Sequence, residues 1–258
     1  MYTVVVDFET SGYSPETDHI LSAGYVAFDS DDIHKEDFQF LKAGVLYFWQ
    51  KGWTAGPTEV HGLTEEFLSQ YEEDYEKNCI ELQTLLYGAH VVYYAPGNFD
   101  YHFYEGFAKR HNFKPVAAYC GKIAKQPGSG MSNWGALTND DIWTPTGSAW
   151  YEISKPLREC VSNWLSQNGR MDIATKRSFK LSETYYAMSG NNPAPMDMAK
   201  QLAEHACQVN VLNVQEVTQS AHQALYDVCM TAAIYLIWLF QQPVVEKPKP
   251  ATVVEAWL

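Results

Sequence analysis

The sequence lacks several features that mark specialised classes of protein. Its five cysteines are an odd number, spread along 258 residues without a Cys-x-x-Cys pair, which fits neither a disulfide framework nor a cysteine zinc site. Its longest mostly apolar stretch, Ala232 to Phe240, is about half of the ~20 residues that a membrane-spanning helix needs. Met1 runs into a strand-like segment instead of a basic leader. We therefore expect no membrane span, no export signal and a reducing, cytoplasmic location.

Basic side chains are also scarce. The chain has 18 Lys and Arg against 31 Asp and Glu, a formal net charge of −13. Nucleic-acid binding depends on Lys and Arg displacing counterions from phosphates, so this average argues against affinity for long duplex DNA. The charge is uneven, however: residues 1–118 carry −12, residues 119–180 carry +3 and residues 181–258 carry −4. Only residues 119–180 favour phosphate contacts.

Hydrophobic residues make up 46% of the chain, which is enough for a sizeable core. Strands followed by strand–helix alternation indicate an α/β or α+β layer fold. Apolar patterning predicts strands at 2–10, 20–28, 38–48 and 91–94, and helices at 62–69, 77–86, 99–111, 155–167, 181–188 and 221–240.

Two segments interrupt this pattern. Residues 119–179 are irregular and aromatic-rich apart from the helix predicted at 155–167, and we interpret them as an insertion. Residues 241–258 contain three prolines, which predict an extended tail. The expected organisation is therefore one domain, 1–240, carrying the insertion and followed by the tail.

Carboxylates stand at the ends of two predicted strands. Asp7 and Glu9 are two apart on the first, so both point to one face, where their oxygens suit Mg²⁺ or Mn²⁺. Asp100 follows the strand at 91–94 and opens a predicted helix. Each has an ordinary alternative: the pair is also typical of a solvated strand face, and Asp100 of a helix N-cap.

A third group lies near the last helix. His222 and Asp227 are five residues apart, so in one helix they would point about 140° apart. They converge only if His222 lies before or at the helix start, and Ser220 is a capping residue that permits such a boundary. The alternative for His222 is a surface or capping histidine.

These three groups together resemble the DnaQ-like 3′→5′ exonuclease family, in the group named DEDDh after its Asp, Glu, Asp, Asp and His residues. The matching segments are Asp7-Phe8-Glu9-Thr10, Asn98-Phe99-Asp100, His222-x-Ala224-Leu225-x-Asp227, Val60-His61-Gly62-Leu63-Thr64 and Lys180-Leu181-Ser182-Glu183. The resemblance covers residues 1 to about 118 and about 180 to 240.

The resemblance implies a ribonuclease H-like α/β fold, with a mixed five-stranded sheet flanked by helices. It also implies that two divalent ions, Mg²⁺ or Mn²⁺, are bound by four carboxylates and that His222 is the general base. The implied ligands are Asp7, Glu9, Asp100 and Asp227.

The resemblance also points to residues around the substrate. Glu9 and Thr10 lie where family members contact the terminal nucleotide. His61 corresponds to a position near the substrate, although a structural role is the alternative for this loop histidine.

The sequence departs from the family pattern after the second motif. Ala117 to Gly121 stands where a fifth strand with an Asp-Thr pair is expected, and about sixty extra residues follow. The missing Asp is not one of the four ligands, so the departure concerns substrate placement. The insertion holds four tryptophans together with Lys176 and Arg177, which suit base stacking and phosphate contact. The alternative for the tryptophans is a small core of their own.

The expected function is metal-dependent 3′→5′ exonucleolytic hydrolysis of single-stranded nucleic acid 3′ ends, with DNA favoured, releasing nucleoside 5′-monophosphates. The alternatives are an exoribonuclease of the same fold and a non-catalytic binding module. The tail, which ends in Trp257-Leu258, either docks on a protein partner such as a polymerase or clamp, or packs on its own domain. The family also makes a homodimer an expected assembly.

Overall fold

The computed structural model describes residues 1–33, 38, 40–95, 97–113, 142–143, 149–170, 174, 178–189 and 224–241. In these ranges six strands form one sheet: β1 Tyr2–Thr10, β2 Ile20–Asp29, β3 Lys42–Tyr47, β4 His90–Tyr93, β5 Ile142–Trp143 and β6 Ala149–Glu152. The helices there are α1 Thr58–His61, α2 Glu65–Ser69, α3 Tyr75–Leu86, α4 Phe99–Arg110, α5 Ser154–Gln167, α6 Leu181–Ser189 and α7 Ala224–Gln241. None of them has the length and apolarity needed to cross a bilayer.

The sheet is mixed, with the strand order β3-β2-β1-β4-β6-β5. β1 is antiparallel to β2 and parallel to β4, and β4 is parallel to β6. β3 and β5 add antiparallel strands at the two edges. The five-stranded mixed sheet flanked by helices is confirmed, and the two-residue β5 extends it at one edge.

The strand next to β4 is not where the sequence pattern predicted it. Val91 pairs with Trp150 and Val92 with Tyr151, so β6 belongs to the main sheet. The prediction of an irregular insertion is wrong for this strand, because Trp150 and Tyr151 point to opposite faces and both are buried. The helix predicted at 155–167 is confirmed as α5. Residues 117–121 lie outside the described residues, as does the tail from 242.

Helices cover both faces of the sheet, and successive side chains of β1 are buried alternately on the two faces. Val5 faces the layer formed mainly by α5, α6 and α7, whereas Val4 and Val6 face α3 and α4. Both faces of β1 are apolar from Val4 to Val6, which is the continuous hydrophobic run of a central strand. Because the parallel strands β1, β4 and β6 end at one edge, the polar residues at their carboxyl ends meet there.

Candidate metal centre

Three carboxylates converge at this edge. Asp7 and Glu9 project from the end of β1, and Asp227 projects from the first turn of α7. One carboxylate oxygen from each lies within 4.8 Å of the other two, and all three residues are half-buried. An octahedral ion with ligands at about 2.1 Å separates its ligand oxygens by roughly 3 to 4 Å, so the three side chains fit one hard divalent cation.

The second motif brings Asp100 beside these three residues. Asn98 adopts a left-handed conformation with φ 61°, which Asn tolerates better than most residues, and its side chain accepts a hydrogen bond from Tyr93 Oη. The chain then turns directly into α4 with Asp100 in its first turn. Asp100 is 3% exposed, and its Oδ1 accepts a hydrogen bond of 2.9 Å from the Phe8 backbone N–H. The backbone of the Asp7–Thr10 segment thus orients the Asp100 carboxylate.

We call Asp7, Glu9, Asp100 and Asp227 the acidic edge. Burial, and then the charges of Asp100, Asp227 and Glu9, raise the pKa of Asp7 well above its ordinary value. Burial, followed by the charges of Asp227 and Asp100, raises the pKa of Glu9 to about 8. Burial raises the pKa of Asp100 to about 7, although backbone N–H donors oppose the change. Without a cation the acidic edge resists full ionisation, and a divalent ion would reverse that.

A further acid beside this site, Glu152, was not indicated by the sequence pattern. It ends β6, is 3% exposed, and its Oε1 accepts a hydrogen bond of 2.8 Å from the Ser154 backbone N–H. Its Oε2 is buried without a hydrogen-bond partner among the described residues, and its charge acts to raise the pKa of Asp100. Glu152 thus places an acid at the carboxyl end of the strand that pairs with β4. The available signal was the run from Trp150 to Glu152 directly before a predicted helix.

His61 has no ring nitrogen free for a substrate. The ring is buried, with Nδ1 accepting from the Leu63 backbone N–H at 3.0 Å, so Nε2 carries the proton and donates to the Ala55 carbonyl at 3.1 Å. Burial lowers the pKa of His61, in keeping with a neutral imidazole. This geometry favours the structural alternative for His61, and a contact with substrate stays a prediction.

The other predicted binding residues differ in what the structure describes. Thr10 is buried, and its hydroxyl donates to the Gly12 carbonyl at 2.7 Å. His222, Lys176 and Arg177 lie outside the described residues. Their assignments, as general base and as phosphate contacts, therefore stay predictions.

The Lys180 to Glu183 segment does open a helix. Glu183 Oε2 accepts from the Lys180 backbone N–H at 2.9 Å, ahead of α6. Tyr94 follows β4 and donates through its hydroxyl to the Phe179 carbonyl at 2.7 Å, with Thr184 Oγ1 2.5 Å away. This buried contact fixes the start of α6 against the end of β4.

Comparison with solved structures places this architecture among known folds. The chain is similar to exonuclease I of E. coli, in a zinc-bound complex with ssDNA, with a TM-score of 0.55, 17% identity, and coverage of 94% of this chain and 41% of that one. It is equally similar to a moderately thermophilic exonuclease I from Methylocaldum szegediense, with a TM-score of 0.54, 17% identity, and coverage of 94% and 41%. E. coli exonuclease I bound to a dT13 oligonucleotide gives a TM-score of 0.52 at 16% identity, covering 92% and 40%.

At these identities the likeness shows the fold alone, and it confirms the α/β class with a mixed sheet flanked by helices. The chain spans about 41% of the length of the exonuclease I structures. No protein-family model matches the sequence. No curated protein matches it either.

Proposed function

We propose that this chain is a metal-dependent 3′→5′ exonuclease of the DnaQ-like DEDDh type that acts on single-stranded DNA. The observation that carries the proposal is the convergence of Asp7, Glu9 and Asp227, whose oxygens lie within 4.8 Å of one another. The fold shared with exonuclease I supports it, because structures of that enzyme include complexes with ssDNA and with dT13. DNA is therefore favoured over RNA as the substrate.

The acidic edge supplies the ligands for two Mg²⁺ or Mn²⁺ ions. Asp7, Glu9, Asp100 and Asp227 would hold these ions, with the Asp100 carboxylate oriented by the Phe8 backbone N–H. Such a pair, when bound, supplies Lewis acidity that activates water at neutral pH and offsets charge on the attacking and leaving oxygens. The four carboxylates match the four positive charges of two divalent ions.

Proton transfer and substrate contact are carried out by side chains of the protein. His222 takes the proton from the attacking water, since an imidazole with a pKa near 6.5 is well matched to neutral pH. The water oxygen forms a bond to phosphorus while the bond from phosphorus to the 3′ oxygen breaks, and that oxygen leaves with the electron pair and takes a proton from solvent. A nucleoside 5′-monophosphate leaves, and the shortened strand keeps a 3′-hydroxyl. Glu9 and Thr10 contact the terminal nucleotide.

Further contacts follow from the same proposal. Lys176 and Arg177 bind phosphates of the strand as it enters, which suits a protein whose other regions are acidic. Docking of the tail at 241–258 on a protein partner, with packing on its own domain as the alternative, and a homodimer stay predictions from the sequence.

A labelled-strand assay tests the proposal. DNA and RNA oligomers carrying a 5′ label are incubated with Mg²⁺, Mn²⁺ or EDTA. The expected result is a ladder on DNA that shortens from the 3′ end with either metal and disappears with EDTA. Asp227→Asn and His222→Ala should remove the ladder, whereas Glu66→Gln, a change to an exposed acid on α2, should keep it.

The two alternatives give different results. A ladder on RNA alone identifies an exoribonuclease. No ladder on either polymer with either metal contradicts catalysis and favours a binding module.

A further inference from the structure

Gly24 lies opposite the first carboxylate of the acidic edge. In the antiparallel ladder between β1 and β2, Asp7 pairs directly with Gly24. Residues paired in this way project to the same face of a sheet. A side chain at position 24 would therefore point to the face that carries the Asp7 carboxylate.

The space that a side chain would need is taken by the backbone of α7. A Cβ atom placed on Gly24 would lie 2.1 Å from the Ala224 carbonyl oxygen, 2.4 Å from the Ala224 carbonyl carbon and 2.9 Å from the Leu225 nitrogen. No change of side-chain rotamer relieves contacts with main-chain atoms. The first turn of α7 thus rests directly on the bare backbone of β2.

The position of this turn determines the position of Asp227. Asp227 is three residues beyond Ala224, which is about 300° around the helix axis and about 4.5 Å along it. Further along, Val228, Ala232 and Ile234 are fully buried in the core, so the helix cannot slide without disturbing that packing. A Cβ at position 24 would instead lift the first turn by on the order of 1 Å, because a contact of that kind must reach van der Waals distance.

From this geometry we infer that Gly24 is a positioning residue, which sets the height of Asp227 above the sheet so that its carboxylate meets Asp7 and Glu9. The inference rests on the proposed function, because the reason for that height is a shared cation. Glycine is required here for close approach of two backbones, since β2 itself has ordinary strand geometry.

Metal affinity tests the inference without any nuclease assay. Mn²⁺ is titrated into Gly24→Ala by calorimetry and by electron paramagnetic resonance of the free ion. The expected result is a loss of about tenfold or more in affinity, the size typical when a group that orients a ligand is changed. The matched control is Ala43→Val, which adds bulk on the same face at a position paired with Val26, away from Asp7. Its affinity should stay within about twofold of wild type.

A second variant separates positioning from general damage. Asp227→Glu adds one methylene, which should weaken Mn²⁺ binding in the wild-type background but strengthen it in Gly24→Ala, where the longer side chain spans the added gap. A merely destabilising glycine substitution would not reverse the sign of that effect. Unfolding curves and far-UV circular dichroism monitor the fold. If Gly24→Ala needs an osmolyte to fold, the titrations of all variants are repeated in that osmolyte.

The outcomes distinguish the two proposals. Wild-type protein that binds no Mn²⁺ overturns the proposed function and this inference together. Wild type that binds Mn²⁺, with Gly24→Ala binding equally well, overturns the inference alone. A Gly24→Ala chain that does not fold even with osmolyte also overturns it, because the effect would then not be local to the first turn of α7.

Discussion

The two ends of β4 lie beside ionisable groups that burial shifts in opposite directions. Beyond its carboxyl end, burial raises the pKa of Asp100 to about 7, next to three further carboxylates. At its amino end, burial lowers the pKa of His90 to about 3. His90 is 3% exposed, and neither of its ring nitrogens has a hydrogen-bond partner among the described residues.

The two ends of β4 differ in the groups that surround the ionisable side chain and in whether a cation can reach it. The rings of Tyr151 and Tyr235 lie beside His90, with centroids 5.7 and 6.2 Å away, so its surroundings are those of the core. Asp7 and Glu9 are half-buried among other oxygen ligands, where a cation can reach them. Burial disfavours the charged form at both ends, but only the acidic edge offers the means to restore it. A shifted pKa marks a candidate site only where ligands converge.

The largest expected effect is the loss of the cation at the acidic edge. Asp7→Asn should lower nuclease activity by about a thousandfold or more, because removing one ligand forfeits several kcal/mol of transition-state stabilisation. Single-turnover rates on labelled single-stranded DNA measure the change. Glu66→Gln, with the same chemical change at an exposed position, should keep full activity. Equal rates for Asp7→Asn and wild type would show that the acidic edge does not hold a catalytic cation, and would remove the difference between the two ends of β4.

At the other end, His90 should make the protein sensitive to acid. The unfolded chain takes up a proton on this residue below pH 6.5, whereas the folded chain does so only near pH 3. Stability should therefore be undiminished above pH 6.5 and fall as the pH drops towards 3, by about 3 kcal/mol at pH 4. Urea unfolding of His90→Leu between pH 4 and 7 should lack this slope. The control is His102→Gln, a change to an exposed histidine on α4; a slope unchanged in His90→Leu would refute the prediction.

The acidic edge should have the opposite pH dependence in metal-free protein. The pKa of Glu9 is raised from 4.5 to about 8, so its stabilising contribution is complete below pH 4.5 and is lost as the pH rises through 8. Because Glu9 is only partly buried, we expect a loss of about 2 kcal/mol rather than the full linkage value. Thermal unfolding at pH 5 and pH 8.5 measures it, and saturating Mn²⁺ should restore the stability at pH 8.5. A metal-free protein that is equally stable at both pH values would show that the pKa of Glu9 is not raised by burial and neighbouring charge.

The smallest effect is expected at Glu152. Glu152→Gln keeps the Oε1 acceptor for the Ser154 N–H but removes a negative charge that raises the pKa of Asp100. The pKa of Asp100 should fall, and Mn²⁺ affinity at pH 7 should rise by about twofold because fewer protons compete with the ion. Titrations from pH 6 to 8 should converge with wild type at the alkaline end. Glu105→Gln on α4 is the control, and an unchanged profile in Glu152→Gln would mean that the two carboxylates act independently.

Much of the fold was predictable because local patterns and tertiary structure agree. The β-branched run from Tyr2 to Thr10 and the apolar run that begins at Ile20 are strands, and the Asp-x-Glu spacing correctly placed Asp7 and Glu9 on one face. The convergence of Asp227 with them could be predicted only from three separated motifs taken together. An acid in the first turn of a helix is common and does not by itself indicate a metal ligand.

Other features depend on tertiary contacts and could not be predicted from local sequence. β6 has four residues within a stretch rich in Gly, Pro and Trp, so its local pattern is that of a loop, and only pairing with β4 makes it a strand. Glu152 was missed with it. A glycine inside a strand signals close approach of some other group, but the partner of Gly24 lies 200 residues later in the chain, at Ala224.

The hydrogen bond from Phe8 to Asp100 gives this molecule a reporter of its own. An amide proton held by a carboxylate changes its NMR chemical shift when that carboxylate is protonated, ionised or bound to a diamagnetic ion such as Mg²⁺. A single ¹⁵N-labelled phenylalanine spectrum would therefore follow the occupancy of Asp100 through the Phe8 resonance, without nucleic acid and without a mutation.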